Sequence, residues 1–164
     1  MNRRYMLLGG AAVLAGGQAI LSSSLSPGHA AGKFEVSRTD AEWRRLLTVA
    51  QYNVLRKHGT ERPGSSPLDH EGRTGAFVCA GCDLPVYLSA DKFDSGTGWP
   101  SFTRPIAGAV ATSVDRGWLG VRTEVHCRRC GGHLGHVFND GPKPTGLRYC
   151  MNGVALKFIP TKPS

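Results

Sequence analysis

His126-Cys127-Arg128-Arg129-Cys130-Gly131-Gly132-His133-Leu134-Gly135-His136-Val137-Phe138 is the stretch on which the fold turns. It runs a C-x-x-C pair through two glycines directly into a short β-rich segment. One such knuckle presents two thiolates from a single tight turn, which is half of a tetrahedral zinc shell. The other half lies upstream at Cys79 and Cys82, with Gly81 inside that turn as Gly131 lies beside the second. Forty-four residues separate Cys82 from Cys127, more than a compact zinc ribbon spans. One structural zinc on Cys79, Cys82, Cys127 and Cys130 would therefore clip together two hairpins distant in sequence. Closing a loop of that size contributes roughly 3 to 5 kcal/mol on the cross-link model. The same spacing also admits two redox disulfides, or bridges in an exported protein. The glycines favour zinc, because a tight metal-binding turn needs their conformational freedom.

Outward from the knuckles, short β-rich segments alternate with glycine turns, over 76–79, 84–88, 110–115, 121–127, 133–138, 147–151 and 155–159. This pattern predicts a mainly β fold, a small antiparallel sandwich or open barrel with peripheral N-terminal helices. Those helices carry their own start signals. Thr39-Asp40-Ala41-Glu42 reads as a capping box opening a helix through Trp43, Leu46 and Leu47, and Thr48-Val49-Ala50-Gln51 as a second. In the second, Val49, Tyr52 and Leu55 supply the apolar positions and the helix ends near Gly59. Arg44, Arg45, Arg56 and Lys57 read as a solvated face, and residues 60–74, rich in Pro and Gly, as an irregular wrap.

With 164 residues, 22 of them Gly and 10 Pro, the chain suits one domain of short strands and turns. The formal charge is +8, and past residue 30 it still counts 18 basic against 12 acidic residues. No Lys/Arg run accompanies that excess, so it reads as solubility and not as a nucleic-acid surface. Residues 1–30 stand apart. Arg3-Arg4 precedes an apolar run from Met6 to Leu21, and Gly28-His29-Ala30 supplies small residues for cleavage. The segment resembles a twin-arginine export signal, leaving residues 31–164 as the single folded domain, exported to the bacterial periplasm. The run is diluted by glycines and Gln18, which argues against a permanent membrane span.

The fifth cysteine lies in Gly146-Leu147-Arg148-Tyr149-Cys150-Met151-Asn152-Gly153. On an extended strand Arg148, Cys150 and Asn152 share one face, setting a cation and an amide beside a thiol. A neighbouring guanidinium favours the thiolate, the nucleophilic form, so Cys150 is a candidate nucleophile. The alternative is a buried packing cysteine. Asp94-Ser95-Gly96-Thr97-Gly98-Trp99-Pro100-Ser101-Phe102 fixes two aromatics, Trp99 and Phe102, in a Gly- and Pro-bounded loop. Such a loop can wall an apolar pocket, unless Trp99 is core. His133 and His136 face opposite ways on a regular strand, so both reach one site only through a bulge at Gly135 or a loop. As a metal pair they lack a completing acid or thiol at a standard spacing. Thiol, cation, imidazoles, the Asp140 carboxylate and an aromatic wall together suit covalent chemistry with acid assistance.

Ser95–Phe102, His126–Phe138 and Gly146–Asn152, in this order and with both knuckles, resemble the B-type methionine sulfoxide reductases, over about residues 35–160 and including Thr60-Glu61-Arg62-Pro63. The resemblance implies thiol-dependent reduction of the R epimer of methionine sulfoxide in oxidised proteins and peptides. It implies attack by Cys150 on the sulfoxide sulfur, leaving a Cys150 sulfenic acid. Trp99 would pack on the substrate methyl, with Phe102 beside it. His133 and His136 would orient and protonate the sulfoxide oxygen, Asp140 and Arg148 would tune the network, and Asn152 would support it. The four knuckle cysteines match the family's zinc ligands. One departure stands out: Thr97 replaces the recycling cysteine that many members carry, so regeneration falls to an external thioredoxin-like or glutaredoxin-like thiol. Two readings from other classes compete, a zinc-ribbon binding module and a C-x-x-C thiol-disulfide oxidoreductase. The first leaves Cys150 and the tryptophan loop unexplained; the second is incompatible with thiolates held by zinc.

Overall fold

The computed structural model describes residues 34–117 and 120–162. The proposed export signal at residues 1–30 lies outside them. All described residues fall in the unit that runs from Ala31 to Ser164.

Both helices begin where their capping boxes place them. In α1 (Asp40–Leu46) the Thr39 side chain accepts from Glu42 N while the Glu42 carboxylate accepts from Thr39 N. Thr48 and Gln51 do the same for α2 (Val49–Lys57), which ends on His58 in the left-handed region, φ 56°. The faces differ from expectation at two positions. Trp43, Leu47, Tyr52, Val54 and Leu55 are buried, but Leu46 is 58% and Val49 79% exposed. Each stands at an end of its helix, where the apolar stripe has turned away from the core. Arg56 also leaves the expected solvated face: it donates to Cys130 O at 3.0 Å and lies over the Trp43 ring.

Among the described residues, nine strands form two antiparallel sheets. The smaller is ordered β2-β1-β9, from β1 (Gly75–Cys79), β2 (Pro85–Leu88) and β9 (Leu156–Pro160). The larger is ordered β3-β4-β8-β7-β6-β5, from β3 (Lys92–Phe93), β4 (Ser101–Phe102), β5 (Val110–Gly117), β6 (Gly120–Cys127), β7 (His133–Phe138) and β8 (Arg148–Met151). The strands flanking the knuckles match the glycine-punctuated pattern, and the mainly antiparallel β architecture is as expected. The two-residue β3 and β4 are too short to leave a periodic signal, yet β4 joins the tryptophan loop to the sheet beside β8.

The core fills the space where the sheets face each other. Phe77, Tyr87, Phe102, Leu134 and Met151 are all 0% exposed there. Tyr87 stacks on Phe102 at 4.3 Å between centroids, Phe77 meets Phe102 edge-on at 4.9 Å, and Tyr87 Oη donates to Met151 Sδ at 3.1 Å. The opposite face of the large sheet, partly covered by α2, is left for chemistry.

Candidate active site

Strand register decides which side chains meet. Cys150 on β8 pairs with Ser101 on β4 and with His136 on β7; His136 pairs with Glu124 on β6, and Glu124 with Ser113 on β5. Directly paired side chains lie on one face, so Ser101, Cys150, His136, Glu124 and Ser113 form one row across the sheet. Two residues along each strand, Arg148, Phe138, Arg122 and Asp115 form a second row on the same face. Alternation sends Phe102 and its partner Tyr149 to the other side. This corrects the expectation for Phe102: it is wholly buried in the core, and Phe138 takes its place at the site.

A cavity of about 120 Å³ opens on this face, lined by Cys150, Trp99, His136, Asn152, Phe138, Arg122, Gly135 and Thr60. Gly135 is required there, because a Cβ at that position would lie 2.1 Å from the Cys150 carbonyl oxygen. Trp99 is half-buried and its indole N–H donates to Glu61 O at 3.3 Å, so it is a wall and not core. Asn152 Nδ2 donates to Leu134 O at 3.1 Å and its Oδ1 accepts from Glu61 N at 2.9 Å. The Glu61 carboxylate in turn accepts from Gly153 N and Val154 N at 2.5 and 2.9 Å. Burial pushes the Glu61 carboxyl above its usual range in spite of those two donors. Thr60-Glu61 is thus a clamp between the tryptophan loop and the end of β8, a role its place in an irregular wrap did not reveal.

The thiol's state differs from the sequence expectation. Burial pushes Cys150 above the ordinary thiol value and outweighs the opposing influences of the Arg148 cation and of hydrogen bonds from Thr97, Arg148 and Ser101. Arg148 also forms a two-pronged ion pair with Asp140 at 2.9 and 2.7 Å, and its guanidinium lies 4.6 Å from the Phe138 ring. That pairing holds the Asp140 carboxyl below its usual value. Asp140 does not line the cavity; it acts through Arg148. Beside the thiol, Ser95 Oγ lies 2.8 Å from both Thr97 Oγ1 and Ser101 Oγ, a cluster of hydroxyls and no second thiol.

The two histidines part company. Opposite Val125 and His126, β7 carries one extra residue, Leu134, so the bulge falls next to Gly135 and brings both rings to one side, 5.2 Å between centroids. His136 lines the cavity, and its Nε2 lies 2.8 Å from Asp115 Oδ2, which also takes Arg122 Nη2 at 2.7 Å. An ionised carboxylate only accepts, so His136 Nε2 carries the proton and Nδ1 keeps its lone pair. Burial lowers the His136 pKa, leaving a neutral imidazole. His133 sits behind it, 1% exposed and outside the cavity lining, with Nδ1 donating to Glu124 Oε1 at 2.8 Å and Nε2 without a partner among the described residues. Burial alone would raise Glu124, but His133, His58 and Ser113 all donate to it and hold it far below the usual range. Asp115, Arg122 and Glu124 escaped the sequence reading because, on alternating strands, charged residues look like a solvent face.

The two knuckles converge. Cys79 and Cys130 sulfurs are 3.7 Å apart, Cys82 and Cys127 3.5 Å, and the four thiols lie within 4.8 Å of one another. A tetrahedral zinc with bonds of about 2.3 Å sets its sulfurs about 3.8 Å apart, so this donor set fits the ion. All five cysteines are free, and the close sulfur approaches run between the knuckles, Cys79 to Cys130 and Cys82 to Cys127, as a shared ion requires. Arg129 Nη1 donates to Cys82 O at 3.3 Å, tying one knuckle to the other.

A zinc-clipped β domain with a half-buried thiol at the end of one aromatic-walled cavity is the class that fold and site define. The model of the SelR domain matches residues 47–160, and the chain belongs to that family. Among its relatives, peptide methionine sulfoxide reductase MsrB of Agrobacterium fabrum is 53% identical over 127 residues, covering 77% of this chain and 94% of the relative. The proteins of the same name from Bradyrhizobium diazoefficiens and Leptospira interrogans are 52% and 48% identical, covering 77% and 76% of this chain and 91% and 96% of each relative.

Proposed function

We propose that this protein reduces the R epimer of methionine sulfoxide in oxidised peptides and proteins, with Cys150 as the nucleophile. The observation that carries the reading is Cys150 set between Ser101 and His136 at the floor of a cavity walled by Trp99. Burial favours the neutral thiol of Cys150, and a thiol holds both the attacking sulfur and the proton the reaction needs. As the sulfur attacks, His136 Nδ1 takes the thiol proton and returns it to the sulfoxide oxygen. The sulfoxide S–O bond breaks, a Cys–S–O bond forms, methionine leaves, and Cys150 is oxidised by two electrons to the sulfenic acid. Asp115 holds the imidazole in the tautomer that leaves Nδ1 free and favours the imidazolium formed on the way. Donors aimed at the departing oxygen favour the transition state more than the substrate, because negative charge grows there. Trp99 packs on the methyl group, Arg148 stabilises the thiolate character of the attacking sulfur, and Asn152 holds the cavity's edge. The zinc shell supports the fold and takes no part in these steps.

Regeneration follows from the hydroxyl cluster. Thr97 and Ser101 stand beside Cys150 where a second thiol would be needed for an internal disulfide, and the other four cysteines face the zinc site. An external thiol therefore condenses with the sulfenic acid, releasing water, and a second thiol frees Cys150 with formation of the external disulfide. The reading is tested by an epimer-resolved assay on a peptide carrying one methionine sulfoxide. Loss of the R epimer alone is expected; equal consumption of both, or of S alone, would refute it.

We infer that residues 1–30 direct export to the periplasm. Support comes from the paired arginines ahead of a diluted apolar run and a small-residue cleavage pattern. A mature chain starting near Ala31 in a periplasmic fraction is the expected finding; an uncut cytosolic chain contradicts it.

A further inference from the structure

A second, larger cavity of about 570 Å³ borders the first; Ala50, Val54, Pro67 and Val154 give it apolar walls, and Asn53 of α2 with residues 60–62 and 65–66 gives it a polar rim. The two meet at Thr60, which lines both. The wall between them is firmly held: Glu61 is tied to Asn152, Gly153, Val154 and the Trp99 indole, and Gly64 N donates to Gly98 O at 2.7 Å. Nothing in the chemistry derived above uses this groove. Its lip carries Val49, 79% exposed, one turn before Asn53 and on the same side of the helix. An apolar side chain that far exposed beside a groove marks a surface that meets something.

We propose that this groove binds the apolar polypeptide segment flanking the oxidised methionine of a locally unfolded substrate. The inference rests on the reductase reading of the Cys150 site. The small cavity takes one long side chain, and the substrate backbone must leave it past its rim, where Thr60 opens into the groove. Methionine is a core residue, and its oxidation makes an apolar side chain polar and disrupts the packing around it. A sulfoxide that reaches an enzyme therefore arrives on a chain whose neighbouring apolar residues are also exposed. Ala50, Val54, Pro67 and Val154 offer those residues apolar surface between the polar side chains of the wall, next to the cavity that holds the sulfoxide.

The test uses the full domain and three substrates: N-acetyl-methionine-R-sulfoxide, a peptide with the sulfoxide between Leu and Val residues, and the same peptide with Ser and Gly flanks. Wild-type enzyme should favour the apolar flank by about tenfold in kcat/KM. Ala50→Trp fills the groove from an exposed helix position, and Val49→Asp charges its lip. Both should abolish that preference while leaving turnover of the acetylated amino acid within about twofold. Equal rates on both peptides in the wild type, or an unchanged preference in both variants, would overturn the proposal and leave the reductase reading standing. A groove filled instead by a second copy of the chain would appear as concentration-dependent dimers broken by Ala50→Trp without change in the peptide preference, and would also overturn it. Failure of the wild type to reduce any of the three would sink the reading of the site itself.

Discussion

Cys150→Ser should lower the reduction of methionine-R-sulfoxide by about 10⁴-fold or more while the protein still folds and holds its zinc. The hydroxyl keeps nearly the shape of the thiol, and Ser101 and Thr97 already surround it with hydroxyls, so packing and hydrogen bonding tolerate the change. What is lost is an atom that can be oxidised by two electrons and then regenerated by a thiol. Steady-state rates and a melting curve of the variant decide the matter. Activity within tenfold of wild type would mean that the nucleophile lies elsewhere.

The second large effect is on stability. Cys79→Ser should lose stoichiometric zinc and lower the melting temperature by roughly 10–20 °C. The site joins β1 to the turn after β6 across a long loop, so its loss forfeits about 3–5 kcal/mol of cross-link stabilisation, and each kcal/mol shifts the melting point of a domain this size by a few degrees. Cys79 and Cys130 are buried, so an unliganded thiol there also gains nothing from solvent. Zinc content by elemental analysis and a thermal scan check this. An unchanged melting point with the zinc gone would show that the two sheets hold without their clip.

Much of this architecture was legible because glycine turns and capping boxes are local signals. The boxes at Thr39 and Thr48 formed as read, and the seven longer strands fall where the turns leave room for them. What escaped was non-local. Leu46 and Val49 satisfied a helical apolar pattern, but periodicity cannot show that the end of a helix has turned away from the core. Phe102 has the composition of a pocket wall; only its pairing with Tyr149, one residue past Ser101 and Cys150, turns it inward. Arg148 favours the Cys150 thiolate as expected, but burial outweighs it, and burial is a property of the folded chain. Asp115 and Arg122 are far from His136 in sequence, and strand register alone makes them its neighbours. Conversely, the bulge beside Gly135 brings the His133 and His136 rings to one side, as the sequence required for a shared site, but only His136 lines the cavity while His133 lies behind it on Glu124.

The most direct measurement is a single turnover without added reductant. Zinc-loaded enzyme is mixed with a peptide carrying one methionine-R-sulfoxide, and intact mass is read with and without a sulfenic-acid trap. One methionine released per enzyme, with one trappable oxygen on Cys150 and no disulfide to it, is the expected result. No product from the R epimer, or a disulfide joining Cys150 to a knuckle cysteine while zinc remains bound, would contradict it.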